Sequence, residues 1–345
     1  MATSKALLLA TLASLATSVL AADGDVNTAF TSDGERILMG YVPSYGLNAA
    51  GLALFFLSTL ALWIQWARNK TAPPLKRRSP LYMLCLCISM SCMTLGILLR
   101  FVYRQDLPDL GRYIAQYMFV LLSPCGFLAN NYILLSRLSR AMGPEAVHSL
   151  FLPAHHVGTI FIWSDVITFL LQAAGGGMTA GNDPDRAKVG KTVALAGLSI
   201  QLASYILFTC LLLVFGFKCL RTIDKYAHPA QPFRLSEYRF WSSSRVYDWR
   251  PLWIVLALSC IGVLIRSAFR IVEYSQGYYG ELATGEGYLY GLDMLPLYLS
   301  MSAYVFFFPP RFIEGAREIN HAPDAAVGYG EGVMGEGEKR SGESV

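Results

Sequence analysis

Arg266, Arg270, Glu273, Glu286 and Asp293 are five of the six charged side chains in the stretch IGVLIRSAFRIVEYSQGYYGELATGEGYLYGLD at 261–293. At 100° per residue, Arg270 lies about 40° round a helix from Arg266, and Glu273 about 20° the other way, so the three share one face. An apolar run, 252–265, leads straight into that face. Charges so placed must pair, reach for the interface, or line water where they can meet the polar end of a ligand. A second set lies elsewhere. Asp165 falls about ten residues into another apolar run, roughly 15 Å from its end, where a carboxylate costs on the order of 3 kcal/mol. Gln172 follows seven residues on, about 20° away in projection, and Gly175, Gly176 and Gly177 come next. Arg100 stands near the end of a third run. Their similar depths predict an outward-facing polar vestibule with Asp165 at its floor.

The elements that must carry these groups are membrane helices. In 345 residues, 54% are hydrophobic and 15% charged, mean hydropathy is +0.41, and apolar runs of about 20 residues recur. An all-α membrane protein follows, with seven transmembrane helices near 46–67, 80–103, 113–136, 156–174, 193–217, 251–271 and 289–310. No internal repeat stands out, so 46–312 reads as one domain. Eighteen lysines and arginines fall in the connections and tail on one side of this arrangement and six on the other. The positive-inside rule then puts the N-terminus outside and the C-terminus in the cytoplasm.

Residues 1–22 have the layout of a cleaved signal peptide, with Lys5, an apolar run and cleavage after Ala21 or Ala22; a retained anchor is the alternative. An extracellular segment, 23–45, would precede the first span. The tail, 313–345, becomes acidic and glycine-rich after Pro323 and is expected to be disordered. The connection at 218–250 mixes basic residues with Tyr226, Phe233, Tyr238, Phe240, Trp241, Tyr247 and Trp249, a composition suited to an anionic leaflet rather than to nucleic acid. This loop and the tail are the two places for a cytoplasmic protein partner.

Several chemistries are set aside. The tetrapeptide VGKT at 189–192 ends like a phosphate-binding loop, but Asp185 stands where the leading glycine belongs and no strand precedes it, so no nucleotide is expected. A retinal Schiff base needs a lysine in the last span, and 289–310 has none. His148, His155, His156, His228 and His321 fall outside the span interiors, and the seven cysteines lie in or beside apolar runs without a metal-ligand or disulfide pattern. No nucleophile with a base at readable spacing appears, so neither an enzyme nor a cofactor is predicted. Asn130, Asn131 and Gln201 read as interhelical hydrogen-bonding residues, and Pro124 and Pro296 as kinks.

The segments IFIWSDVITFLLQAAGGG at 160–177, IRSAFRIVEYSQGYYGEL at 265–282, and Glu286 followed by LYGLD resemble the fungal RTA-like lipid-translocating exporter family. LLSPCGFLANNYILLSRL at 121–138 and GLSIQL at 197–202 add to the likeness, which runs from about Tyr45 to Phe312. The resemblance points at Arg100, Tyr132, Arg137, Asp165, Gln172, Arg266, Arg270, Glu273, Glu286 and Asp293. It implies a seven-span plasma-membrane protein, or second a vacuolar one, that exports sphingoid long-chain bases or similar cationic amphiphiles and contributes to lipid asymmetry and resistance. Asp165 and Gln172 would then meet the substrate's polar head. The other class is a heptahelical receptor-like sensor of lipids or stress with no transport activity.

Overall fold

The computed structural model describes residues 41–71, 81–105, 109–148, 150, 154–179, 184–222, 233–277 and 280–321. The expected signal peptide at 1–22, most of the segment at 23–45, and the tail beyond 321 lie outside the described residues. Long helices dominate: α1 (Tyr45–Thr71), α2 (Leu84–Arg104), α3 (Leu110–Met142), α4 (Ala154–Thr179), α5 (Pro184–Thr222), α6 (Arg250–Gln276), α7 (Leu295–Phe306) and α8 (Pro309–His321). Short turns, Glu281–Thr284 and Glu286–Tyr288, and a π-helical stretch, Leu289–Met294, lead into α7.

Six helices are long and apolar enough to cross a membrane alone. The seventh is a bent pair, Glu286–Phe306 with Pro309–Ile319, broken by 52°. Phe56, Leu57, Trp163, Ile167, Leu170, Leu207, Leu258 and Ile261 are all more than half exposed on the bundle's flanks. In water such a surface would aggregate; in a bilayer it meets lipid. The chain is an integral membrane protein.

Helix ends extend beyond the expected spans. Helix α5 begins at Pro184 rather than near 193, and α3 continues past 136 to Met142. Hydropathy marks where hydrocarbon ends, whereas backbone hydrogen bonding carries a helix on into the interface. Helix α3 also runs through Pro124 unbroken. Pro296 instead follows the π-helical stretch, whose wider turn suits a residue that has no N–H to donate.

Two close approaches fix the packing. A Cβ on Gly175 would sit 2.6 Å from Ala194 N and from Gly190 O, so α4 and α5 touch backbone to backbone there. A Cβ on Gly262 would sit 2.6 Å from Pro296 O, which holds α6 against α7. Between them, Asn131 ties four helices: it donates to Tyr205 Oη (2.9 Å) and Ser259 Oγ (3.0 Å) and accepts from Tyr304 Oη (2.8 Å). Asn130, expected to bond across helices as well, is fully buried with neither amide atom bonded.

At the opposite end, aromatics of 233–249 pack on the protein: Tyr238 stacks on Phe307 at 5.7 Å, and Phe233 meets Phe307 and Phe312, while Leu235, Phe240 and Trp241 stay about half exposed. One expectation there needs correction. The first part of the segment expected to be a disordered tail is α8, whose Phe312, Ile313 and Ala316 are buried. Arg311 clamps the two together. It is 1% exposed and donates to Ser244 O (2.8 Å) and Arg239 O (2.9 Å). Glycine-poor amphipathic spacing, which is helical, preceded the acidic glycine-rich stretch on which the disorder reading rested.

Candidate functional site

The charged residues of α6 and the π-helical stretch meet as a ladder. Arg270 on α6 grips Asp293 with two parallel bonds, Nε to Oδ1 at 3.0 Å and Nη2 to Oδ2 at 2.7 Å, while its Nη1 reaches Glu273 Oε2 at 3.1 Å. Arg266, one turn deeper, puts Nε 3.0 Å from Asp293 Oδ1, close enough to pair but out of line for a hydrogen bond, and its Nη2 is unpartnered. Asp293 is fully buried. The π-helical turn lets Asp293 point into the bundle beside both arginines although Pro296 follows three residues later. Two cations around one carboxylate, with planar fork geometry, is the arrangement that makes a buried charge tolerable.

Arg100 forms the next rung. It pairs with Glu286 Oε1 at 3.3 Å, donates to Tyr41 Oη at 2.9 Å and lies over the rings of Tyr41 and Tyr290. Glu286 also accepts from the backbone of Ser44 at 2.8 Å, and Tyr290 donates to Asn48 Oδ1 at 2.9 Å. The stretch before α1 is thereby tied to the second and seventh spans. Burial pushes the Tyr41 phenol above its ordinary range, against the pull of Arg100, so it meets the guanidinium as a neutral acceptor. Three arginines face three carboxylates in this ladder, and Lys191, which donates to Ser275 O at 2.8 Å, adds a cation at the rim.

Above the ladder lies a cavity of about 200 Å³, open at one end of the bundle. Arg100, Arg270, Glu273 and Lys191 contribute its charges, and Tyr41, Tyr113, Tyr117 and Tyr274 its rings. Tyr113 and Tyr117 stack at 5.9 Å, and the hydroxyls of Tyr117 and Tyr274 touch across α3 and α6. Gly176 and Gly177 of α4 form part of the wall. Clustered aromatic faces beside one shared carboxylate can hold a cation, and phenol and guanidinium donors can hold hydroxyl or oxyanion groups.

A polar recess is present at one end of the bundle, but not with the expected floor. Of the candidate residues, Arg100, Arg270 and Glu273 line the cavity; Asp293, Arg266 and Glu286 pair with or stand beside the lining arginines. Asp165 and Gln172 do not line it. Gln172 is bonded to Gln201 Oε1 across α4 and α5 at 2.8 Å, and Asp165 faces the interior deeper in, 3% exposed. Arg137 lies at the other end of the bundle, over the Tyr82 ring at 4.2 Å. The cavity tyrosines were missed because tyrosine near a span end reads as an interfacial belt residue. Their i, i+4 spacing at 113 and 117 was the available signal. Among the described residues, no three His, Cys, Asp or Glu side chains converge as a metal site.

Fold and cavity together define a multispanning membrane protein with a charged, tyrosine-lined recess at one end. The chain matches the RTA1 like protein family over residues 86–316 and belongs to it. It is 34% identical over 214 residues to Protein RTA1 of Saccharomyces cerevisiae, a match covering 62% of this chain and 61% of that protein. It is 25% identical over 309 residues to Protoporphyrin uptake protein 1 of the same organism, covering 79% and 92%. Against the Sphingoid long-chain base transporter RSB1, also of Saccharomyces cerevisiae, identity is 24% over 233 residues, covering 62% and 60%. The chain thus spans about three fifths of the length of the first and last of these relatives. No solved structure gives a significant match.

Proposed function

We propose that this protein translocates amphiphilic lipids, with long-chain bases or similar cationic amphiphiles as the leading substrate class. The observation that carries this is the cavity. At about 200 Å³ it falls short of the roughly 300 Å³ at which sites for whole drug-sized molecules begin, so it suits a headgroup whose tail stays among apolar helix faces. Glu273 and the tyrosine faces would take an ammonium group, and Arg100 and Tyr41 the neighbouring hydroxyls. A relative named as a sphingoid long-chain base transporter supports the same substrate class. The positive-inside count favours the cavity end outside, in the plasma membrane first and the vacuolar membrane second. A role in lipid asymmetry and resistance to toxic compounds would follow.

A second reading has its own observation. With Lys191 at the rim, cations outnumber carboxylates around the recess, a balance that favours an anionic head such as a carboxylate, and one relative is named for protoporphyrin uptake. Purified protein in liposomes separates the two. Labelled long-chain base should cross faster than in empty vesicles, and an excess of unlabelled cationic amphiphile should compete better than an anionic one of equal chain length. The reverse order would move the assignment to anionic substrates. No movement of either class would leave the receptor-like sensor.

A further inference from the structure

Asp165 differs from every acid of the ladder. It is 3% exposed, near the middle of α4, and neither carboxylate oxygen has a hydrogen-bond partner. What faces it can be taken element by element. From α3 come the Tyr132 hydroxyl, itself unbonded, and the Cys125 thiol. Behind these two, from α5, stand Tyr205, tilted against the Tyr132 ring at 6.1 Å with its hydroxyl turned to Asn131 and Cys260, and Gln201, which reaches Cys125 and is held by Gln172. On α4 itself, Thr168 bonds the Asp165 backbone carbonyl rather than the side chain, at 3.0 Å. Arg266 on α6 also acts on Cys125, but its charge is committed to Asp293. Phe161 and Phe208 complete the wall around Tyr132.

No cation among the described residues pairs with this carboxyl. An ionised carboxylate without a partner, in a medium this apolar, costs far more than gaining a proton does. A metal ion would need several oxygen ligands around it, and the Tyr132 hydroxyl is a single one. A proton needs one.

We propose that Asp165 is a proton-binding site, and that the proton is the ion coupled to translocation. The carboxyl rests protonated against Tyr132. When the bundle rearranges to carry a headgroup past it, the proton leaves to water on one side and is replaced from water on the other, so one H⁺ crosses per cycle with no other bond made or broken. The coupling rests on the translocator reading; the protonated resting state does not.

The test has two arms, both on the full chain in lipid. Infrared difference spectra at pH 7 should show the C=O stretch of a protonated carboxylic acid in the parent, lose it in Asp165→Asn, and recover it at a shifted position in Asp165→Glu. The glutamate variant serves if the amide variant does not fold. Identical spectra for parent and Asp165→Asn would overturn the proton site. In liposomes, an imposed pH difference of one unit should change the parent's flux of labelled long-chain base several-fold and leave that of Asp165→Asn unmoved. Flux in the parent that ignores the gradient would overturn the coupling. A carboxylic acid band with no flux in any vesicle would instead sink the translocator reading and leave the proton site standing.

Discussion

The seam between α6 and α7 and the pocket around α4 both bury an aspartate, and they neutralise it in opposite ways. Asp293 has two arginines within 3.0 Å, whereas Asp165 has a phenol and a thiol for neighbours. The first arrangement fixes charge: it holds helices in register and leaves Arg270 and Glu273 poised at the cavity wall. The second leaves charge to be decided by protonation. A membrane acid is thus made structural or labile by what the adjoining helix presents to it, and not by depth alone.

The sharpest way to break this comparison is to neutralise each acid in turn. Asp293→Asn leaves Arg266 and Arg270 facing each other without their shared counter-ion, and should cost about 3–5 kcal/mol, read as a large drop in thermal unfolding temperature in detergent. Asp165→Asn should fall within about 1 kcal/mol of the parent in the same assay, because it replaces a neutral acid by a neutral amide. Equal losses would erase the distinction. Glu286→Gln should come next, at about 1–3 kcal/mol, since Arg100 keeps Tyr41 but loses its ion pair.

Tyr274→Phe sharpens the picture from the cavity side. It removes the hydroxyl contact with Tyr117 and should change unfolding stability by no more than about 1 kcal/mol, yet weaken competition by headgroup analogues several-fold in the vesicle assay. The smallest effect concerns a third acid, outside the membrane. Burial of Asp248 opposes its ionisation, but bonds from Arg250 and from the Phe233 and Arg250 amides outweigh this and hold its carboxyl below the usual 3.8. Its contribution is complete above that value and lost only as pH falls through the lower folded-state pKa. Protease sensitivity of 233–248 should therefore be flat from pH 8 to 5 and rise only in stronger acid.

Much of this was legible in advance because membrane helices report their own length and face. The common face of Arg266, Arg270 and Glu273 followed from spacing, and their meeting with Asp293 followed from depth. What spacing could not supply was azimuth between helices. Asp165 and Asp293 have comparable claims to a shared chamber until the neighbours of each are known, and Cys125 and Tyr132 gave no hint of standing beside Asp165. The packing of the 233–249 connection on the bundle was hidden for a similar reason: aromatic and basic side chains suit an anionic leaflet and suit the rings of Phe307 and Phe312 equally well.

The π-helical stretch at Leu289–Met294 has a consequence for how the last span is divided. An extra residue in one turn sets everything before it about 100° out of phase with everything after it. Glu286, Tyr290 and Asp293 are thereby aimed at arginine and asparagine partners, while Leu297, Met301 and Tyr304 keep their own aim into the core. The span behaves as two dials on one shaft: deleting a single residue between 289 and 294 would turn the polar upper dial away from its partners and leave the apolar lower one where it stands.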